Sequence, residues 1–269
     1  MTPPSRGTRR GMKAKPARRV LCATVVLTAL PFAVSCGDQD HGGAGGPAAA
    51  GPLSFARSGT HLVITTENGL LLRPTDGRRV TVDERADGDW SHDDDTWTLD
   101  LSCTDRDGQR EPGDAACPRM PYVKIPDGVS VTVSARNAGV DVAGLAAALD
   151  VTTVNGDVTV TRSGTDDAPV RLVTRNGSVR ATALDAGRLH AVTTNGDVTL
   201  GCTTAPSDVT ASTTNGSVAV TVPQDAPAYR VTAGTDNGHA TVDVPTSENR
   251  QGPTMTLTTV NGDVTAHHD

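Results

Sequence analysis

The sequence predicts an all-β, single-domain β-solenoid, similar to a parallel β-helix, with an irregular N-terminal cap. Three observations predict it. An Asn-Gly dipeptide recurs about every 20 residues, apolar residues alternate with polar ones around each dipeptide, and variation in repeat length gathers at one bend. A fixed period of this size is typical of repeat architectures, in which one small unit stacks on the next.

The asparagines define the period. From Asn155 to Asn261, successive Asn-Gly pairs are separated by 21, 19, 20, 22 and 24 residues. Asn-Gly is typical of tight two-residue turns, because both residues tolerate a positive φ. Eight of the nine asparagines lie at this position, one of them in the weaker copy Asn-Ala-Gly, and we predict a structural turn at each: Asn68, Asn137, Asn155, Asn176, Asn195, Asn215, Asn237 and Asn261.

The residues around each turn alternate with a period of two. Around Asn155, Val151, Thr153, Val158 and Val160 share one face, and the residue two before the asparagine is Thr in six consecutive copies. Such alternation predicts strands with one buried face. The strands could form an antiparallel meander or the parallel rungs of a solenoid. The same residue types recur at the same depth, which favours the solenoid.

Residues 1–35 predict an export signal. Seven Lys or Arg and no acidic residue precede an apolar run of 16 residues, which is shorter than the ~20 that span a bilayer. The junction Ala33-Val34-Ser35-Cys36 resembles a bacterial lipobox, so Cys36 is the predicted lipidation site. A lipobox usually has Leu in place of Ala33, and cleavage before an unmodified cysteine is the alternative. The pair Arg18-Arg19 leaves both Sec and twin-arginine export open.

The remaining chain divides into three parts. Residues 36–52 are rich in Gly and Ala and predict a flexible tether. Residues 53–130 predict the N-terminal cap and the first strands, with strands at 70–72, 79–82 and 97–101. Residues 131–269 predict the regular repeats. We expect 53–269 to be one folded unit, whose cap shields the end of the stack.

The cysteines agree with export. Cys103 and Cys117 close a short polar loop and predict a disulfide, and the alternative of a metal site lacks a histidine at ligand spacing. Cys202 continues the inward alternation of Val198 and Leu200, so we predict a small buried apolar side chain there.

Charge argues against nucleic acid as a partner. Removal of residues 1–35 leaves 24 − 7 = 17 basic side chains against 31 acidic ones, a net charge of −14. No basic stripe could neutralise phosphates. Anionic lipid would not attract the chain directly either, so we expect membrane attachment only through a lipid on Cys36.

We predict no cofactor, metal site or catalytic group. The acidic run Asp93-Asp94-Asp95 offers oxygen ligands for Ca²⁺ but lacks the spacing of a calcium loop, and a solvated hairpin tip between Trp90 and Trp97 is the preferred interpretation. The residue two after each asparagine alternates between Asp and Ser, which breaks any carboxylate ladder. The final His267-His268-Asp269 is interpreted as a polar end and not as a transition-metal site.

Several of these features together resemble the bacterial putative-adhesin β-strand-repeat family, a domain of unknown function. They are the export signal, the lipid cysteine, the Gly-rich tether, the segments Trp97-Thr98-Leu99 and Tyr122-Val123-Lys124-Ile125-Pro126, and the serial Val-Asn-Gly-Asp-Val units. The resemblance implies a stacked β-solenoid in the bacterial envelope.

The function expected from this is non-enzymatic. We predict a lipid-anchored scaffold for adhesion or interaction on the outer face of the bacterial membrane, with an envelope protein or a surface glycan as partner. One alternative is an envelope-stress or sensory accessory domain that binds a membrane partner through its last exposed strand. A polysaccharide-active β-helix enzyme is the less favoured alternative, because outward positions are mostly Thr and Ser and offer no acid–base pair.

Overall fold

The computed structural model describes residues 60–86, 88–102 and 119–269. These residues are all-β, with nineteen strands and no helix. The strands are β1 (His61–Thr66), β2 (Leu70–Thr75), β3 (Thr81–Val82), β4 (Asp89–Asp93), β5 (Thr96–Asp100), β6 (Tyr122–Pro126), β7 (Ser130–Ala135), β8 (Val140–Ala143), β9 (Leu149–Thr152), β10 (Val158–Thr161), β11 (Gly164–Val173), β12 (Val179–Val192), β13 (Val198–Cys202), β14 (Asp208–Ser212), β15 (Val218–Val222), β16 (Arg230–Asn237), β17 (Ala240–Asp243), β18 (Thr254–Asn261) and β19 (Val264–His268).

The strands form two ladders, and each rung gives one strand to each ladder. The first ladder runs β4-β5-β1-β7-β9-β11-β12-β14-β18-β16, and the second runs β3-β6-β2-β8-β10-β12-β13-β15-β19-β17. The long strand β12 belongs to both, because it bends at Ala183, where φ is 52°. An asparagine corner joins the two strands of most rungs.

Parallel pairing holds the rungs together. Among the described strands only β3–β6 and β4–β5 pair antiparallel. The register is constant, since one column of the second ladder contains Val158, Val179, Val198, Val218 and Val264. The predicted parallel stacking is therefore confirmed, and the antiparallel meander is excluded.

The inward columns make the core. In the first ladder the column Val151, Leu172, Ala191, Ala211 and Leu257 is 0% exposed at every member. Complete burial of a side chain of Val or Leu size contributes roughly 1.5–3 kcal/mol relative to leaving it in water. Repetition of this column from rung to rung explains why the strands stack in one register, because a shift of one residue would expose the whole column.

The order of the rungs in space differs from their order in sequence at both ends. The rung β1–β2 lies between β5–β6 and β7–β8, although it comes first in the chain. The rung β18–β19 lies between β14–β15 and β16–β17, although it comes last. The sequence analysis did not predict either exchange.

The N-terminal end of the stack is closed by antiparallel strands. β3 pairs with β6, and β4 forms a hairpin with β5 whose turn contains Asp94 and Asp95. Trp90 and Trp97 pack against the core, and the ring of His92 stacks on Trp97 with 4.0 Å between ring centroids. The acidic run thus lies at a hairpin tip.

Candidate functional site

The corner asparagines form a continuous ladder of side-chain amides. Each Nδ2 donates to the Oδ1 of the next rung at 2.8–3.4 Å, in the order Asn237, Asn261, Asn215, Asn195, Asn176, Asn155 and Asn137. Asn68 lies apart from this ladder. It is 6% exposed, and its backbone N–H donates to Thr66 Oγ1 at 3.1 Å. The exposed amides therefore hydrogen-bond to one another along the corner, and their role is structural.

In six of the seven rungs of this ladder, the glycine after the asparagine is required by a close approach to the neighbouring rung. At Gly196 φ is +145°, and a Cβ there would lie 2.2 Å from the carbonyl oxygen of Gly177 in the neighbouring rung. We expected the Asn-Gly pair to supply positive φ. Among the described corners the glycine alone does so, because the only non-glycine residues with positive φ are Asp94, Arg162 and Ala183. The asparagine is selected for its amide and not for its backbone.

The threonine two before each asparagine caps the same corner from inside. Thr193 Oγ1 donates to the carbonyl oxygen of Gly177 at 2.8 Å, and it is only 3% exposed. The same bond recurs in five other rungs, from Thr153, Thr174, Thr213, Thr235 and Thr259. A buried carbonyl without a partner costs about 1–3 kcal/mol, so this row of hydroxyls explains why Thr recurs there.

The alternating Asp and Ser residues form a third row. Asp197 Oδ1 accepts from the backbone N–H of Ser217 at 2.9 Å, and Ser178 Oγ accepts from the N–H of Asp197 at 3.2 Å. Asp157, Ser217 and Asp263 repeat the pattern. Because a serine separates the carboxylates, none has another carboxylate in the adjacent rung. The row accepts hydrogen bonds from the backbone and offers no continuous cation site.

The outer faces carry threonines and a few ion pairs. Arg171 Nη1 lies 3.0 Å from Asp150 Oδ1, and Arg180 Nη1 lies 3.1 Å from Asp157 Oδ2. These side chains are about half exposed, and such pairs typically contribute 0–1 kcal/mol. Both ion pairs join neighbouring rungs of one ladder.

The C-terminal end of the stack is open. Among the described residues β16 pairs only with β18, and β17 only with β19. Val242 is 37% exposed, whereas Val220 at the same inward position two rungs away is 0% exposed. The segment Pro245 to Ser247 bonds to the backbone of Tyr229 and covers only the start of this edge. An open strand edge with an exposed apolar row is the strongest candidate for an interaction surface.

Two buried groups near this end are chemically inert. Burial raises the pKa of the Cys202 thiol to about 12, so it stays protonated at neutral pH. Burial also raises the pKa of Tyr229 to about 12, and its hydroxyl donates to the carbonyl oxygen of Pro206 at 3.0 Å. Cys202 is 4% exposed, so it is buried as the alternation predicted.

The cavities are shallow. One, of about 410 Å³, is lined by Arg230, Thr246, Glu248 and Arg250 beside the open end. The other, of about 390 Å³, lies on the first ladder at His61, Leu149 and Arg171. In the ranges that the structure covers, no group of three His, Cys, Asp or Glu side chains could hold a metal ion. The same ranges contain no helix able to cross a bilayer.

Three of the predicted site residues lie outside the described residues: Cys36, Cys103 and Cys117. The structure brings seven of the eight predicted turn asparagines together in one row. Both terminal histidines, His267 and His268, belong to β19. His267 Nε2 lies 2.9 Å from Thr221 Oγ1 in the neighbouring strand β15. The exposed edge expected at the last strand lies instead at β16 and β17, because β18 and β19 are paired on both sides.

Comparison with known proteins gave a structural match and a family match. A solved structure of a "putative cell adhesion protein" from Clostridium sporogenes ATCC 15579 matches at 6% identity and a TM-score of 0.36, covering 80% of this chain and 96% of the other. A search of curated proteins gave no significant match. The Toastrack DUF4097 family matches residues 78–267, which is most of the chain, and the protein therefore belongs to that family.

Proposed function

We propose that the protein is a non-enzymatic scaffold for interaction or adhesion at the bacterial cell surface, anchored by a lipid on Cys36. The observation that carries this proposal is the stack itself. Its interior is filled by apolar columns, its corners by self-satisfied amides, and its polar faces are flat. Such a body presents polar surface, and the two cavities described above are open to solvent.

The distribution of titratable groups supports a role without catalysis. An acid–base pair needs two groups whose environments separate their pKa values. Among the described residues, clear pKa shifts fall on Asp83, Arg85, Cys202 and Tyr229. Asp83 and Arg85 neutralise each other, and the other two are buried in protonated form. None of the four lines either of the cavities described above.

Anchoring through Cys36 is part of the proposal. The lipobox-like junction and the Gly-rich segment that follows would hold the stack close to the membrane. The disulfide proposed between Cys103 and Cys117 would tie the loop between β5 and β6, the two strands of one rung. Globomycin should block processing of the precursor. Substitution Cys36→Ala should release the protein into the medium, whereas Cys202→Ala should leave it on the membrane.

Binding to surfaces tests the scaffold directly. We expect the purified protein to bind a defined set of glycans or matrix proteins on an array. We also expect cells that display it to adhere more than cells that display a variant with a disrupted stack, such as Gly196→Val. Turnover of wall polysaccharide that disappears on substitution of a single carboxylate would contradict the proposal.

A second candidate is an accessory domain that binds another membrane protein, and the open edge of β16 and β17 favours it. An edge strand offers unpaired N–H and C=O groups that an extended segment can use. Cross-linking in intact cells separates the two candidates. A sensory accessory domain should yield one membrane protein reproducibly, whereas an adhesin should yield external ligands.

A further inference from the structure

The open rung carries a pattern that is complementary to itself. Along β16 the side chains of Val231, Ala233 and Thr235 point towards the core, whereas Arg230 and Asp236 are exposed. An arginine near one end and an aspartate near the other make the strand electrostatically complementary to a reversed copy of itself.

We infer that this rung pairs with the same rung of a second copy of the chain, β16 against β16 and β17 against β17, about a two-fold axis. A two-fold contact uses the same patch on both molecules. Two identical strands related by an axis perpendicular to them run antiparallel, which is a stable pairing. The inference goes beyond the proposed function, because it concerns the association of the chain with itself, and it competes with the second candidate for the same edge.

The register follows from the alternation of the strand. Inward residues must face inward residues, or the apolar row would point to solvent. A two-fold axis that runs between the Ala233 residues of the two copies satisfies this condition. It places Val231 opposite Thr235 of the second copy. The same register places Arg230 opposite Asp236 of the second copy, and symmetry repeats that pair.

The second strand of the rung agrees with this register. Ala233 lies four residues before the corner Asn237, and Val242 lies five after it, so both occupy the same inward depth. In the inner rungs the equivalent pair, Ala211 and Val220, is 0% exposed. The axis that passes through Ala233 therefore passes through Val242 and covers a side chain that is 37% exposed in the single chain.

The other end of the stack is a poor partner for this edge. Its outermost strand, β4, is short, and Asp89 and Asp93 make it acidic. β16 offers one charge of each sign, so only its own reversed copy matches both. The segment at Tyr229 covers the edge just before Arg230, so the partner strand ends where this segment begins.

The association state of the full chain tests the inference. Sedimentation velocity over a range of protein concentrations should show a monomer–dimer equilibrium. Asp236→Arg should raise the dissociation constant by roughly tenfold or more, because it faces Arg230 with a like charge. The double variant Arg230→Asp/Asp236→Arg should restore dimerisation. Asp127→Arg changes the net charge equally at an exposed turn and should have no effect.

Cross-linking tests the register. The Cα atoms of residues on the axis should lie about 4.5–5.5 Å apart, within reach of a disulfide. Ala233→Cys should therefore form a disulfide-linked dimer on mild oxidation, as should Val242→Cys. Asp236→Cys should do so only when mixed with Arg230→Cys. The unsubstituted chain controls for its own five cysteines.

Three outcomes would overturn the inference. The first is a chain that remains monomeric at all concentrations. The second is a dimer that is indifferent to Asp236→Arg. The third is an Ala233→Cys variant that cross-links within one chain, which would assign the edge to another segment of the same molecule.

Discussion

The two ends of the stack solve the problem of an exposed strand edge differently. At the N-terminal end, β3 and β4 reverse direction and pair antiparallel, so the parallel ladder stops there. At the C-terminal end, β16 and β17 continue the parallel ladder and then stop without a cover among the described residues. Short, acidic edge strands are a common protection against unwanted pairing. The contrast is therefore between an end that ends in short antiparallel strands and an end that, among the described residues, leaves a parallel edge open.

A corner glycine of an inner rung and a mid-strand glycine of the open rung should give the largest difference. Gly196→Ala introduces a Cβ at positive φ, 2.2 Å from a backbone oxygen, and should destabilise the protein by about 3 kcal/mol or more. Gly234→Ala in β16 has no atom within 4 Å of the new Cβ, so its effect should stay within about 1 kcal/mol. Urea unfolding measures both. Equal losses would mean that the backbone at Gly234 is as constrained as the corner at Gly196.

The inward valines should give the next largest effect. Val220→Ala leaves a cavity at a site that is 0% exposed and should cost about 2 kcal/mol. Val242→Ala removes a side chain already 37% exposed and should cost less than about 1 kcal/mol at concentrations where the chain is monomeric. Thermal unfolding in dilute solution checks the pair. A larger loss for Val242→Ala in concentrated solution would reveal the partner that covers it.

The threonine row should give a smaller contrast. Thr193→Val leaves the half-buried carbonyl of Gly177 without its donor and should cost about 1–2 kcal/mol. Thr235→Val removes the same bond to Gly262 in the open rung, where water can replace the hydroxyl, and should cost about half as much. Hydrogen exchange of the corner amides should rise around Gly177 in the first variant. Unchanged exchange there would show that the hydroxyl bond is not needed.

The closed end should give the smallest effect on stability, and this effect should depend on pH. The hydrogen-bonded Arg85 guanidinium holds the pKa of the buried Asp83 carboxyl below its usual value. This contribution to stability is present above the unfolded pKa of about 4 and is lost as pH falls through the lower folded value. Asp83→Asn should therefore lower the urea midpoint at pH 7 and change it little at pH 3. A constant difference between pH 7 and pH 3 would exclude the ionic contribution.

Much of the stack could be predicted from local patterns. The alternation around Asn195 and the small residue after it fix a strand, a corner and an inward face, since all three depend on neighbours in sequence. The hairpin between Trp90 and Trp97 could likewise be predicted from residues that are neighbours in sequence. The amide ladder and the threonine bonds were not predicted as contacts. They form between rungs, and a single repeat contains no sign of its partner.

The exchanged rung order could not be derived from the repeats, because β16 and β18 carry the same pattern and either could pair with β14. One signal was available. The bends 223–227 and 245–253 are rich in proline and flank β16–β17, where the chain passes over one rung and returns. We interpreted them as length variation at one bend, and their proper meaning is a change in stacking order.

The exchange also determines how the folded stack can unravel. β1 pairs with both β5 and β7, and β19 pairs with both β15 and β17, so neither the first nor the last of the described strands lies at an edge. A pulling force that reaches either of these strands meets a strand bonded on two sides. Among the described residues, peeling from an edge must therefore begin at β3, β4, β16 or β17, which are internal segments of the sequence.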